Sequence, residues 1–244
     1  MINCTSMGSL LRLILAAVLL PAAGAPGSDH TQFDAILREV VRGERVDYQK
    51  IKSDHLPALR SYLAMLAEAR PSDASRAEQL AFYINLYNAT MIQAVIDRDP
   101  TKFKPSDNDF AVFKEKLVRA EGRTLSLNEL ENDVIRPRFN DPRVHAALVC
   151  AAVSCPPILN RAYRADDLDQ VLTENVRRWL NDPKRNEIDE ANRTLRLSRI
   201  FEWYAPDFGG AGKLADFVSL YLGRDVRGFA IEFKEYDWSL NAAG

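Results

Sequence analysis

Cysteine and histidine are both scarce in this sequence, with three of each among 244 residues. Three cysteines cannot form the disulfide framework that holds many small secreted domains together, and a chain of this length can bury a hydrophobic core without one. Neither sign of charge predominates, since 32 lysines and arginines face 34 aspartates and glutamates. A nearly neutral chain offers no electrostatic basis for nucleic-acid binding, so no nucleic-acid partner is predicted.

Long apolar runs are rare as well. The clearest one follows Arg12 and extends over thirteen small or apolar residues from Leu13. It is too short for a membrane-spanning helix, which needs roughly 20 residues. It is typical of a secretory signal peptide, with small residues before a cleavage site at Ala25. The sequence therefore predicts a signal peptide at residues 1–24, a single domain over residues 25–244, export to the periplasm or the extracellular space, and no transmembrane segment after cleavage.

The fold class follows from composition and periodicity. With 47% hydrophobic and 27% charged residues, the chain is neither disordered nor a collagen-like repeat. The apolar spacing predicts one helix-rich α+β domain with a small, mostly antiparallel sheet. Helices are predicted over residues 31–42, 56–67, 75–97, 126–137, 168–180 and 214–222. Strands are predicted at residues 116–120, 144–149 and 229–236, with a hairpin over 186–198.

Signal-peptide cleavage removes Cys4 and leaves Cys150 and Cys155. Four intervening residues can bring two Cα atoms within the roughly 4.4–6.8 Å that a disulfide needs. Because an exported chain meets an oxidising environment, a Cys150–Cys155 disulfide is predicted. Two unreactive buried thiols, or one nucleophilic thiol, are the alternatives that the residues leave open.

The segment over residues 141–157 concentrates the reactive side chains. His145 is the one histidine near a thiol in the sequence. On a strand, His145 and Arg143 share one face and Cys150 lies on the other, while a helix leaves about 140° between His145 and Cys150. The thiol enzyme hypothesis therefore pairs His145 with Cys155, provided that the residues between the cysteines reverse the chain. One histidine and two cysteines do not complete a metal site, so neither a metal nor a cofactor is predicted.

Four further side chains are candidate site residues. Asn85 and Asn88 are neighbours on a predicted helix, where they either tie the helix to an adjacent segment or orient His145 and bind a polar ligand. Glu78, two turns earlier, lies on the same side and could join a ligand site. Asp207 either caps a helix or orients His145.

Arg143 is the last candidate. It either forms an ion pair with Asp141 at the entrance of the segment or binds a ligand. The ion pair is the favoured interpretation.

Four blocks of the chain resemble the family called domain of unknown function 547. They are AFYINLYNA at residues 81–89, DPRVHAALVCAAVSCPP at 141–157, FEWYAPDF at 201–208 and YDWSLN at 236–241. No general activity is assigned to that family. Its helix-then-strand order is loosely similar to papain-like and transglutaminase-like folds, but Asn85 and Asn88 stand where a nucleophile helix would carry a cysteine. Asn132 follows Glu131 where family members often have a histidine, which weakens any role that needs a second histidine.

Two functions are consistent with these observations. The first is a non-catalytic domain that binds a small molecule or a protein, with the Cys150–Cys155 disulfide as a structural clip. The alternative is a thiol-dependent hydrolase or acyl transferase with Cys155 as nucleophile and His145 as base. In that enzyme, Asn85, Asn88 or Asp207 would orient the histidine. Dithiol redox chemistry is less consistent, because the spacing is not that of a C-x-x-C motif.

Overall fold

The computed structural model describes residues 28–244. The predicted signal peptide lies outside these residues. The chain forms one α+β domain in which helices predominate. In the stretch from residue 28 onward, no helix is both long enough and apolar enough to cross a membrane.

Among residues 28–244, three α-helices have 13 or more residues, and the other helices and strands are shorter. The α-helices are α1 (Thr31–Val40), α2 (Tyr48–Lys50), α3 (Leu56–Glu68), α4 (Arg76–Ile96), α5 (Asp107–Lys114), α6 (Leu127–Glu129), α7 (Arg136–Phe139), α8 (Leu168–Leu180), α9 (Ile200–Trp203) and α10 (Leu214–Leu222). The π-helical segments are Ile51–His55 and Leu130–Ile135, and the 3₁₀ turns are Pro71–Asp73, Pro142–Ala146, Ala205–Phe208 and Ala211–Lys213. The strands are β1 (Val41–Arg42), β2 (Arg45–Val46), β3 (Val118–Ala120), β4 (Arg123–Leu125), β5 (Glu187–Asp189), β6 (Thr194–Leu197) and β7 (Ala230–Phe233).

Within the described part of the chain, the strands form three small sheets. Strands β1 and β2 form one antiparallel hairpin and β3 and β4 form another, while β5, β6 and β7 form the third sheet in that order. Strand β5 pairs with β6 antiparallel, and β7 pairs with β6 parallel, with Leu195 opposite Ile231. The predicted α+β class with a small, mostly antiparallel sheet is confirmed.

Helix α4 lies at the centre of the larger hydrophobic cluster. It begins with a capping box, in which the Ser75 hydroxyl accepts the Glu78 N–H and the Glu78 carboxylate accepts the Ser75 N–H. From Leu80 to Ile96 nearly every side chain is buried, so the helix is covered around its whole circumference. Such an apolar helix is stable because neighbouring elements surround it.

A second cluster packs α8, α9 and α10 against β6. The rings of Trp179 and Phe201 stack within it, with centroids 4.5 Å apart. Val144 belongs to the first cluster and Ala146 to the second. His145 therefore lies at the boundary between the two clusters.

The predicted strand at residues 144–149 is wrong. Residues Pro142–Ala146 form a 3₁₀ turn, whose start Asp141 caps by accepting the Arg143 N–H at 3.0 Å. The next residues belong to no strand, and the Asn88 side chain binds the Ala147 carbonyl and the Val149 N–H, each at 2.9 Å. The Asn88 amide thus hydrogen-bonds the backbone groups that would pair with a neighbouring strand if this segment were part of a sheet. The apolar run reflects burial, which a short helix or loop shares with a strand.

The last residues of the chain return across the cysteine segment. The Ser239 backbone carbonyl accepts a hydrogen bond from the Val153 N–H at 2.9 Å, and the Ala151 carbonyl accepts one from the Asn241 N–H at the same distance. The Asn241 backbone carbonyl in turn accepts a hydrogen bond from the Val46 N–H at 2.9 Å. We call residues 236–243 the C-terminal strap, because they connect the cysteine segment with the β1–β2 hairpin.

Candidate functional site

His145 and both cysteines line one cavity of about 310 Å³. Seven of its fifteen lining residues are Phe, Tyr or Trp, and we call it the aromatic cavity. Its lining consists of Tyr87, Phe110, Phe113, Lys114, Asn128, Glu131, His145, Leu148, Cys150, Cys155, Ile200, Trp203, Tyr204, Tyr236 and Trp238.

Hydrogen bonds and stacking fix the orientation of His145. Its Nε2 lies 2.7 Å from Asp207 Oδ2. Arg136 holds the same carboxylate with two bonds, from Nε at 2.6 Å and from Nη2 at 2.8 Å. The Tyr204 ring packs on the imidazole with centroids 4.2 Å apart. Of the two interpretations of Asp207, the structure thus shows the contact with His145.

The environment of Asp207 stabilises its ionised form. Burial alone would raise the pKa of this carboxyl, but the hydrogen bonds with His145 and Arg136 outweigh burial and hold the pKa well below its ordinary value. Asp207 is therefore a carboxylate at neutral pH, and His145 Nε2 carries the proton of the bond between them.

Glu131 faces the other side of the imidazole. Its Oε1 lies 3.9 Å from His145 Nδ1, which is beyond hydrogen-bond distance, and the residue is 7% exposed. Burial and then the nearby Glu131 carboxylate raise the pKa of the Tyr204 hydroxyl.

Glu131 is absent from the sequence-predicted site residues, although a signal for it exists. A capping box of Ser126 and Glu129 starts the helical segment, at the predicted start of the helix over residues 126–137. Leu127, Leu130 and Ile135 then mark the buried face at helical spacing, and Glu131 falls on that same face. A carboxylate on an apolar helix face is the pattern that would have identified it.

Cys150 and Cys155, the two cysteines among the described residues, are free thiols, so the predicted Cys150–Cys155 disulfide is not formed in the structure. The Cys150 N–H donates to Cys155 Sγ at 2.9 Å, and Cys150 Sγ lies 3.3 Å from the Tyr236 hydroxyl. Burial raises the pKa of Cys155. Burial opposes ionisation of Cys150 too, but hydrogen bonds from Cys155 and Tyr236 lower the pKa of Cys150. Cys150 is thus the thiol with more thiolate character.

The structure does not bring Cys155 into contact with His145. Cys155 is 2% exposed, and its sulfur contacts the Cys150 N–H and the Leu148 carbonyl. Both ring nitrogens of His145 face carboxylates, those of Asp207 and Glu131. A histidine that accepts the proton of a thiol needs a ring nitrogen facing the sulfur. The geometry of the predicted Cys–His pair is therefore not present.

Asn85 and Asn88 tie α4 to neighbouring segments, which is the first of their two predicted roles. The Asn85 amide binds the carbonyl and the N–H of Tyr163, each at 2.9 Å. Asn88 binds Ala147 and Val149 in the same way. Neither Asn85 nor Asn88 lines the aromatic cavity. Asn88 instead positions the segment that leads to Cys150.

Glu78 and Arg143 also lie apart from the aromatic cavity. The Glu78 carboxylate serves the capping box of α4, and its residue lines a different cavity beside His30 and Arg164. Arg143 forms the predicted ion pair with Asp141 at 2.7 Å and a second pair with Asp169 at 2.8 Å. Ion pairing, rather than a ligand, accounts for the position of Arg143.

In a comparison with protein-family models, part of the chain matches one family. Residues 71–180 match the family described as "Protein of unknown function, DUF547". The chain resembles the DUF547 family. No curated protein and no solved structure matches the chain.

The DUF547 match includes Glu131, His145 and both cysteines, whereas Asp207 and Tyr236 lie beyond it. Asn132, where DUF547 members often have a histidine, accepts a hydrogen bond from Arg136 Nη1 at 2.6 Å. It thereby supports the arginine that holds Asp207. Within residues 28–244, no group of three or more His, Cys, Asp or Glu side chains is arranged to hold a metal ion.

Proposed function

We propose that the chain is an exported protein that binds a small organic molecule in the aromatic cavity. One observation carries the proposal: a concave, largely aromatic space in which the polar groups of Glu131, His145 and Cys150 converge. Ligand sites in proteins combine apolar walls with a few polar groups in this manner. The signal-peptide pattern at residues 1–24 supports export.

The side chains at the mouth of the cavity support a binding role. Trp203 is 44% exposed, and its ring lies 4.9 Å from the Tyr236 ring and 5.8 Å from the Trp238 ring. Large aromatic side chains are favourable to bury, so a ligand that covers them gains apolar contact area. The polar groups deeper in the cavity are already oriented, which reduces the entropy that binding would lose.

Tryptophan fluorescence tests the proposal, because two of the three tryptophans line the cavity and the third, Trp179, is buried in the second cluster. Single-ring probes such as 2-phenylethylamine and 2-phenylethanol should change the emission of the full chain saturably. Trp238→Ala should weaken the response, whereas Leu220→Ala, at a 70% exposed position outside the cavity, should leave it unchanged. The absence of a saturable response to every probe would contradict the proposed function.

Export has its own measurement. The protein recovered from outside the cytoplasm should begin at Ala25 when its mass is determined. An intact N-terminus on the recovered protein would contradict the predicted cleavage.

Thiol chemistry at the same cavity is a second candidate function, with Cys150 rather than Cys155 as the reacting sulfur. The partial exposure of Cys150 and its lowered pKa favour this assignment. In such a reaction the Cys150 thiolate would attack a carbonyl carbon and form a thioester, while the bond to the leaving group breaks and water protonates that group. Water or another acceptor would then take the acyl group from the thioester and return Cys150 to the thiol.

Alkylation followed by mass spectrometry tests the thiol hypothesis. Iodoacetamide should modify Cys150 faster than Cys155 in the folded protein. A fully formed Cys150–Cys155 disulfide in ligand-binding protein would exclude the thiol function and restore the disulfide as a structural clip. Faster modification of Cys155 would reverse the assignment of the sulfurs.

A further inference from the structure

We propose that the ligand of the aromatic cavity carries a positively charged nitrogen, which pairs with Glu131 and packs against the aromatic wall. This inference rests on the proposed function and narrows it to one class of molecule, small amines and quaternary ammonium compounds with an apolar body.

The charges around the cavity leave Glu131 without a close cationic partner. Asp207 is neutralised by the two hydrogen bonds from Arg136. Lys114 lines the cavity, but its ammonium group pairs with Asp109 at 2.6 Å. In the part of the chain from residue 28 onward, His145 Nδ1 is the one ionisable nitrogen within 4 Å of the Glu131 carboxylate, and no hydrogen bond joins them.

A buried carboxylate without a cation is unfavourable. Glu131 is 7% exposed, so much of its hydration is lost on folding, and the Tyr204 hydroxyl beside it supplies a hydrogen bond but no positive charge. Transfer of an ionised group out of water is costly unless a charge of opposite sign or several hydrogen-bond donors compensate it. A ligand ammonium in the cavity would supply the missing charge and N–H donors at short range.

The cavity wall suits the same kind of group. Tyr204 lies beside Glu131, and Tyr236 and Trp238 contact each other with ring centroids 4.5 Å apart. The faces of such rings attract cations, tryptophan most strongly. A carboxylate combined with tryptophan and tyrosine rings therefore favours a cation over a neutral or an anionic group.

The size of the cavity limits the apolar part of the ligand. At about 310 Å³, it lies at the lower end of the range for small-molecule sites. It accommodates an amine with a single ring or a short branched chain rather than a multi-ring compound.

Three probes with the same ring separate charge from shape: 2-phenylethylamine, which is a cation at neutral pH, 2-phenylethanol, which is neutral, and phenylacetate, which is an anion. Titration calorimetry on the full chain should show the amine binding about tenfold more tightly than the alcohol, and phenylacetate more weakly than both. This comparison uses the unmodified protein, so it does not depend on how any variant folds.

Glu131→Gln should remove the preference by lowering the affinity for 2-phenylethylamine about tenfold, while the affinity for 2-phenylethanol changes less than about twofold. Asp133→Asn is the matched control, since it makes the same charge change at an exposed position of the same helical segment. It should leave both affinities unchanged. Equal binding of amine and alcohol, or equal effects of the two substitutions, would overturn the inference while leaving a binding site. If no probe binds, the proposed function itself fails.

Discussion

The buried Asn88 side chain holds the backbone segment that leads to Cys150 in the aromatic cavity. Its amide oxygen and nitrogen bind the Val149 N–H and the Ala147 carbonyl, and these bonds fix the backbone just before Cys150. Loss of the amide would leave two backbone groups without partners inside the core. Each unsatisfied buried group costs about 1–3 kcal/mol.

Asn88→Ala should therefore lower the free energy of unfolding by about 2–5 kcal/mol, measured by urea denaturation. Asn181→Ala is the control, because the Asn181 amide is exposed at the end of α8 and should cost less than about 1 kcal/mol. Similar losses in the two variants would contradict the role assigned to Asn88.

His30 gives the fold a dependence on pH. It is buried, its Nδ1 lies 2.7 Å from the Tyr62 hydroxyl, and burial lowers its pKa from 6.5 to about 4. At a pH between these two pKa values, His30 is protonated in the unfolded chain but neutral in the folded chain. The free energy of unfolding therefore falls as the pH drops from 6.5 to about 4, and this contribution ends below that pH.

Protonation of His30 should lower the free energy of unfolding by about 3 kcal/mol between pH 6.5 and about pH 4, because each unit of pKa difference corresponds to about 1.4 kcal/mol. Urea denaturation at several pH values checks it. His30→Gln does not titrate, so its free energy of unfolding should fall less steeply than that of the original protein. Parallel curves for the two proteins would show that His30 does not titrate in this way.

Among the elements, the helical segment that begins after Ser126 contributes most to the site. It carries Glu131 into the cavity and Arg136 to Asp207, and its start depends on a capping box. The Ser126 hydroxyl accepts the Glu129 N–H at 3.1 Å, and the Glu129 carboxylate accepts the Ser126 N–H at 2.7 Å. Removal of a capping hydroxyl costs about 1 kcal/mol.

Ser126→Ala should lower the free energy of unfolding by about 1 kcal/mol in a denaturation experiment. Ser106→Ala provides the comparison, because Ser106 precedes α5 but makes no capping hydrogen bond. That variant should differ from the original protein by less than about 0.5 kcal/mol. An effect of Ser106→Ala as large as that of Ser126→Ala would show that capping is not the cause.

At the scale of the whole molecule, the C-terminal strap joins parts of the chain that are remote in sequence. Its backbone bonds reach Val46 near the start and Ala151 and Val153 in the cysteine segment. Its Tyr236 and Trp238 side chains complete the wall of the aromatic cavity. The strap is therefore both a structural connection and one side of the proposed binding site.

Deletion of residues 236–244 should lower the free energy of unfolding by several kcal/mol, since each of the backbone hydrogen bonds contributes about 0.5–1.5 kcal/mol and buried aromatic contacts are also lost. The shortened chain should no longer bind 2-phenylethylamine. Removal of Gly244 alone, which lies outside the strap, should change neither property. A shortened chain with unchanged stability would contradict this role of the strap.

Local patterns in the sequence were sufficient for most elements. Helix α8 has the predicted bounds of residues 168–180, and α4 lies within one residue of the predicted range 75–97 at each end, because apolar spacing and capping residues act within a few positions. The strand at residues 144–149 was wrong, and α5 was not predicted, because short segments take their conformation from distant partners. The contact of Asp207 with His145 is one of its two predicted roles, whereas Glu131 is not among the predicted site residues.

The sequence alone established the α+β class, the main helices and the segment in which the reactive side chains are concentrated. It could not establish which of those side chains meet. His145 and Asp207 are 62 positions apart, and Cys150 and Tyr236 are 86 apart, yet each pair is in contact. Such contacts depend on how the two hydrophobic clusters and the strap pack together. The sequence pairs His145 with Cys155, because strand or helix geometry separates His145 from Cys150. The packed structure makes Cys150 the more exposed sulfur and adds Glu131 to the site.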